Sequence, residues 1–300
     1  MIAAALRTSA RRLAGACLAL ALAACHRSSA PPEAAHDAGS PGAVRCAVIG
    51  GMVTSGLWGA LSQRYEAETG VKVELTVSGN KHMIVDPMRR GDVDLITMHA
   101  SDEIVNLVAD GYAADPQPWA RNDQVIVGPS DDPAGVRGMT DAALALGKIA
   151  ASKSAFVAHR GGGSTQLLRE LLDEGHVTLD EDRVFRLAPS DNQETVLELA
   201  SQKHAYSLVG RIPFKVGKMQ GKGMEALVEG DKRLQRPYLV AVADPRRSPG
   251  AHVEAARRLA AWLRSARTQA WLATYTSPTF GGDPPFFPVV APDGDAGGAP

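Results

Sequence analysis

Apolar residues along this chain switch repeatedly between a period of two and a period near 3.6. Residues 44–49 form a short apolar run that predicts a strand. Leu57, Ala60, Leu61 and Tyr65 then recur at helical spacing until Thr69-Gly70, and residues 71–77 alternate apolar with polar. Strand, helix and strand in series predict a βαβ unit and therefore a parallel sheet. The same reading gives a helix ahead of Gly91, a buried strand over residues 92–98 and a helix over 103–109. A further apolar run over 124–128 ends in the turn residues of 128–135. Beyond these come helices over 141–151, 165–172, 252–265 and 266–275, and strands over 155–158, 184–187, 206–209, 224–229 and 238–243. Ser190-Asp191 followed by Glu194 fits a capping box for one more helix ending near Gln202.

The two ends follow neither period. Arg7, Arg11 and Arg12 precede a short apolar run over 13–22 and then small residues, the three parts of an export signal. That run falls short of the about 20 apolar residues of a transmembrane helix. Leu22-Ala23-Ala24-Cys25 resembles a bacterial lipobox, so residues 1–25 read as a lipoprotein signal ending at a lipidated Cys25. An ordinary secretory cut near Ala24 is the plainer alternative. The lipid reading puts the protein in the periplasm or cell envelope, held to a membrane by the anchor only. Residues 26–43 and 291–300 are rich in Ser, Pro, Ala and Gly, a flexible tether and a disordered tail. Of three cysteines, Cys17 leaves with the signal and Cys25 is acylated, so Cys46 alone makes neither a disulfide nor a metal site. A net charge of −1 argues against nucleic acid as a partner.

Three loops ahead of predicted helices suit a compact anion, because helix starts offer backbone N–H groups and a favourable dipole. Residues 50–55 bring Thr54 and Ser55, and residues 190–195 bring Ser190. Residues 159–165 are the richest: Arg160 has a fork of fixed donors, Gly161, Gly162 and Gly163 let a ligand near the backbone, and Ser164 and Thr165 add hydroxyls. Ser78 and Asn80 follow the second strand, at the sheet edge where open α/β folds bind ligands. Each has a plainer reading: helix caps for Thr54 and Ser55, turns for the others. His99 reads as a satisfied, partly buried histidine, and Arg211 as a partner in a surface ion pair. The pairs Asp92/Asp94 and Asp131/Asp132 do not read as catalytic, since alternate strand residues face opposite ways and turn aspartates satisfy local backbone. A phosphate-loop Gly-Lys-Ser/Thr ending, a nucleophile elbow and a His-Glu metal spacing are all missing, so no catalytic residue, metal or cofactor is expected.

A series of short segments carries a resemblance. It comprises Glu68-Thr69-Gly70-Val71-Lys72-Val73, Gly91-Asp92-Val93-Asp94 with His99-Ala100, Gly111-Tyr112, Asn122-Asp123 before residues 125–129, Asp132-Pro133-Ala134-Gly135, Val228-Glu229-Gly230-Asp231, and Pro285-Phe286-Phe287-Pro288. In this order they resemble the periplasmic tungstate-binding proteins of ABC importers, a branch of the type II solute-binding proteins, over nearly the whole mature chain. The resemblance implies an α/β, two-lobe type II periplasmic-binding-protein fold, with parallel-rich sheets flanked by helices and a ligand cleft between the lobes. Residues 44–123 with 238–290 form lobe 1 and residues 124–237 lobe 2. It also implies a monomeric receptor, not an enzyme, that delivers a small oxyanion to a permease and, through it, to an ATPase. Arg160, Gly161 and Ser164 match the family's ligand loop. The chain departs from the family at Val48-Ile49-Gly50-Gly51-Met52, where a row of threonine and serine is usual, and again at Gly162, Gly163 and Gln166. Tungstate, molybdate, another oxyanion, or a small organic acid with its apolar part against Met52 and Trp58 all stay open, as do transport and sensing.

Overall fold

The computed structural model describes residues 42–159, 162–188 and 191–289; Cys25, Arg160, Gly161 and Ser190 lie outside the described residues. The strands are β1 Val44–Ile49, β2 Val73–Gly79, β3 Leu95–His99, β4 Ala113–Pro129, β5 Ala155–Ala158, β6 Val184–Arg186, β7 Ala205–Gly210, β8 Met224–Val228, β9 Gln235–Ala243 and β10 Phe287–Pro288. The helices are α1 Gly50–Thr54, α2 Leu57–Thr69, α3 Lys81–Arg90, α4 Asp102–Ala109, α5 Ala142–Ala151, α6 Gly162–Glu174, α7 Val196–Gln202, α8 Arg211–Lys215, α9 Val253–Leu263 and α10 Ala266–Thr274.

The α/β alternation predicted from periodicity is present. Strand β1 lies parallel to β2 and β3, and β5 lies parallel to β6 and β7. Every pairing that involves β4 or β9 is antiparallel. Strand β9 slots between β3 and the first half of β4, while the second half of β4 pairs with β7 and β8. A single 17-residue strand thus runs from one sheet into the other. One buried apolar cluster fills the first sheet's surroundings, including Trp58, Met88, Trp119 and Phe286. Two clusters cover the faces of the second sheet, one around Leu146, Phe156 and Tyr206, the other around Val127, Val157 and Val196.

Three local differences from the sequence reading have physical causes. The run over 124–128 is only the end of β4; its first half holds Asp115, Pro116 and Pro118, with Asp115 at φ 53° and two breaks in register against β9, so neither period shows there. Residues 50–54 form the short helix α1 where the paired glycines suggest a loop, and Gly56 at φ 80° separates it from α2. The capping box at Ser190-Asp191 is not the cap observed: Asn192 Oδ1 accepts from Glu194 N at 3.1 Å to start a 3-10 turn that leads into α7, and Asp191 Oδ2 accepts from Ala188 N at 2.8 Å.

Cys46 is fully buried in β1, its thiol pushed well up by burial. Asp94, also fully buried, accepts from Arg45 N at 2.8 Å, Arg45 Nη2 at 2.6 Å and His252 N at 2.9 Å, so it ties β1 to the start of α9. Asp92 pairs with Arg90 on the surface. Neither carboxylate is free for chemistry.

Candidate functional site

Residues directly opposite one another in an antiparallel pair share a face, as do residues two apart along a strand. Asn122 stands opposite Arg236, Gln124 opposite Gly210, and His99 opposite Tyr238. His99, Tyr238, Arg236, Asn122 and Gln124 therefore line one face where β3, β9, β4 and β7 meet. That face is unusual in its hydrogen bonding. Among the described residues, eight buried side-chain nitrogens and oxygens have no hydrogen-bond partner; five of them are His99 Nδ1, Asn122 Oδ1, both amide atoms of Gln124, and Arg236 Nε. Asn122 and Gln124 are 2% and 0% exposed. Buried polar atoms without partners are rare, and each costs about 1–3 kcal/mol.

The start of α6 leans over this face. A Cβ added to Gly163 would lie 3.2 Å from Arg236 Nη1, and one added to Gly210 would lie 3.9 Å from Arg236 Nη2. The guanidinium thus sits between two positions that carry no side chain. Positive charge gathers here. His99 is pushed down to about 3 by burial, with Arg236 and Lys81 adding repulsion, and His159 is lowered by burial and then by Arg236. Lys81 pairs with Glu103 at 2.9 Å; burial is the largest influence on Glu103 and favours its neutral carboxyl, but the hydrogen bonds to the group and the Lys81 charge together outweigh burial and hold it at about 2.

The opposite face holds a different arrangement. Arg211, the first residue of α8, donates from Nε to Asp123 Oδ1 at 2.6 Å and from Nη2 to the Pro284 carbonyl at 2.6 Å, and stacks on Phe280 and Phe287. Both ionic side chains are 6% exposed. The surface ion pair expected for Arg211 is instead a buried clamp, because β4 turns Asp123 away from Asn122 and Gln124. Burial raises the Asp123 carboxyl despite the neighbouring Arg211.

The predicted site residues divide. Gly162, Ser164 and Thr165 lie in the first turns of α6, where Thr165 Oγ1 donates to the His159 carbonyl at 2.7 Å. Thr54 Oγ1 donates to the Gly50 carbonyl at 3.1 Å, and Ser55, fully buried, donates to Met52 O at 3.3 Å, so both hydroxyl protons are taken up inside α1. Ser78 is half-buried near the end of β2, beside Val48, while Asn80 caps α3 by accepting from Met83 N at 3.2 Å. Met52 and Trp58 are buried in the first core and cannot greet a ligand's apolar part. A cavity of about 460 Å³ beside α6 touches His159 and Thr165, yet its walls mix Arg169 and Arg186 with Asp173 and Glu181 and give an anion no net preference. The residues missed from sequence are Arg236, Gln124 and Asn122. No motif marks Arg236 or Gln124, and Asn122 enters only as part of a family segment with no binding role; strand register alone brings the three to one face.

Residues 47–275 match the family described as bacterial extracellular solute-binding protein. A putative ABC transporter anion-binding protein of Haloferax volcanii is 28% identical over 291 residues, spanning 92% of this chain and 83% of its own. The tungstate-binding protein TupA of Peptoclostridium acidaminophilum is 25% identical over 276 residues, with 91% and 95% covered. Among solved structures, the tungstate-binding protein TupA from Desulfovibrio alaskensis G20 superposes with a TM-score of 0.66 at 25% identity, covering 82% of this chain and 98% of that one. The tungstate ABC transporter structure from Geobacter sulfurreducens shares the fold, with a TM-score of 0.63 at 24% identity and 79% and 100% covered. With the family match running through both sheets, this chain belongs to the bacterial extracellular solute-binding proteins.

Proposed function

We propose that this protein is the binding component of an ABC importer, which closes on a small oxyanion such as tungstate or molybdate and delivers it to a permease coupled to an ATPase. It works in the periplasm or cell envelope as a monomer, tethered through lipid on Cys25, without a cofactor and without catalysis. The observation that carries this reading is the face of unpartnered polar atoms on His99, Asn122, Gln124 and Arg236 beneath the start of α6. A compact ligand bearing several oxygens meets many of those atoms at once, and a 13-residue helix adds its N-terminal dipole. The relatives named for anion and tungstate binding support the same ligand class.

The lobes in this scheme are residues 44–123 with 238–290 and residues 124–237, hinged on β4 and β9. Arg160, Gly161, Gly162, Ser164 and Thr165 contribute from the loop and first turns of α6, Ser190 from the loop before α7, and Ser78 and Asn80 from the rim of the first lobe, while Thr54 and Ser55 act only by bracing α1 from within. Calorimetric titration of the mature protein with sodium tungstate, molybdate, sulfate and phosphate should give saturable binding of at least one anion. Flat titrations with all four would end the oxyanion reading. Arg160→Ala should abolish the response. Cys25→Ser should move the protein from membrane to soluble fractions, and an unchanged distribution would refute the anchor.

A further inference from the structure

We propose that Arg236 is the fixed cation of the cleft: from the hinge strand β9 it seats the anion beneath the α6 start and restricts the site to solutes that carry a full negative charge. This rests on the reading of the protein as an anion receptor, and it adds a specificity-determining residue that neither the glycine-rich loop nor any other sequence motif marks.

Three independent features support it. The Nε of Arg236 is buried without a partner, and among the described residues no carboxylate lies within ion-pair distance of its guanidinium. The nearby acids are committed elsewhere, Asp123 to Arg211 and Glu103 to Lys81. Arg236 is half-buried as a residue, and a guanidinium drawn that far out of water is ordinarily paired, because an unpaired charge with a buried donor is costly. Second, the guanidinium lies against Gly163 and Gly210, where no side chain covers it, so its donor edge stays open. Third, fully buried Gln124 and Asn122 flank it with unpartnered amide atoms, so the surroundings hold several further hydrogen-bonding groups for one ligand. A guanidinium fork beside a helix N-terminus favours a planar pair of anionic oxygens over a neutral hydroxyl. Its place on β9, opposite Asn122 of β4, also puts the charge beside the stretch where β4 passes from pairing with β9 to pairing with β7.

The test uses the full mature protein titrated with sodium tungstate, molybdate, sulfate and phosphate, beside Arg236→Gln and Arg236→Lys. For whichever anion binds the wild type, Arg236→Gln should weaken affinity at least tenfold, and Arg236→Lys should lose less. Binding by Arg236→Gln within threefold of wild type would overturn the role of Arg236 and leave the anion reading standing. If the wild type binds none of the four, the anion reading itself fails, and this inference with it. A measurement on the wild type alone covers the case in which the variants do not fold. His99 feels Arg236, Lys81 and Glu103, so an anion seated on Arg236 should raise the His99 titration point followed by NMR. An unchanged His99 in the anion-saturated protein would place the ligand elsewhere.

Discussion

At Gly163 a single methyl group sets stability and binding against each other. The position is helical and has an ordinary φ, so Gly163→Ala should strengthen α6 by up to about 1 kcal/mol. The added Cβ would stand 3.2 Å from Arg236 Nη1 and push the guanidinium aside. We expect a higher melting temperature without anion together with weaker anion binding in calorimetry; a variant that gains both would mean that the guanidinium is not where the anion sits. His99 supplies a pH signature. It titrates at about 3 in the folded protein against 6.5 when free, so the unfolded chain binds more protons between those values. The stability contributed is complete above 6.5 and is lost as pH falls toward 3. Melting curves recorded from pH 7 to 4 should therefore fall less steeply for His99→Gln than for wild type. Neither effect was legible in the sequence, where Gly163 was one glycine of three, His99 passed for a satisfied histidine and Arg236 carried no motif.

Among the elements, β4 and β9 organise the molecule, and they were read least completely. Apolar runs mark only the C-terminal end of each strand, residues 124–128 and 238–243, because those ends lie in apolar cores. The stretch of β4 from Asp115 to Pro118 is polar, proline-bearing and irregular, while Gln235, Arg236 and Pro237 of β9 show no alternation. Residues that meet at a crossing answer to two partners and one possible ligand, so local pattern is a poor guide to them. The parallel units are visible for the opposite reason: β3, β5 and β7 are apolar runs bounded by helices, and β1 is an apolar run that leads into one. The Arg211–Asp123 clamp ties β4 to the start of α8 on the far face of the crossing. Arg211→Ala leaves a buried carboxyl without its cation and should cost about 3 kcal/mol in chemical denaturation. Pairing Arg211→Met with Asp123→Asn should recover part of that loss, and failure to recover any would locate the effect in the aromatic stacking on Phe280 and Phe287.

For the whole molecule, ligand linkage gives the simplest measurement. An anion at about 100 times its dissociation constant stabilises the folded state by about 2.7 kcal/mol, a melting shift on the order of 5–10 °C for a chain of this size. The shift should grow with the logarithm of concentration in the wild type and vanish in Arg160→Ala. The insertion of β9 between β3 and β4 also bears on how the chain acquires its structure. The Thr97 hydroxyl of β3 reaches the Leu239 carbonyl of β9 across 142 residues of sequence. Contacts of such separation form slowly, since a long loop must close before they contribute. The first sheet cannot close until residues near 243 are available, which means that an amino-terminal fragment ending at 230 has no complete sheet to fold into. Until β9 emerges, the edge of β3 and the first half of β4 that it joins both stay open, so a chain halted before residue 235 carries unpaired strand edges that favour association with other chains.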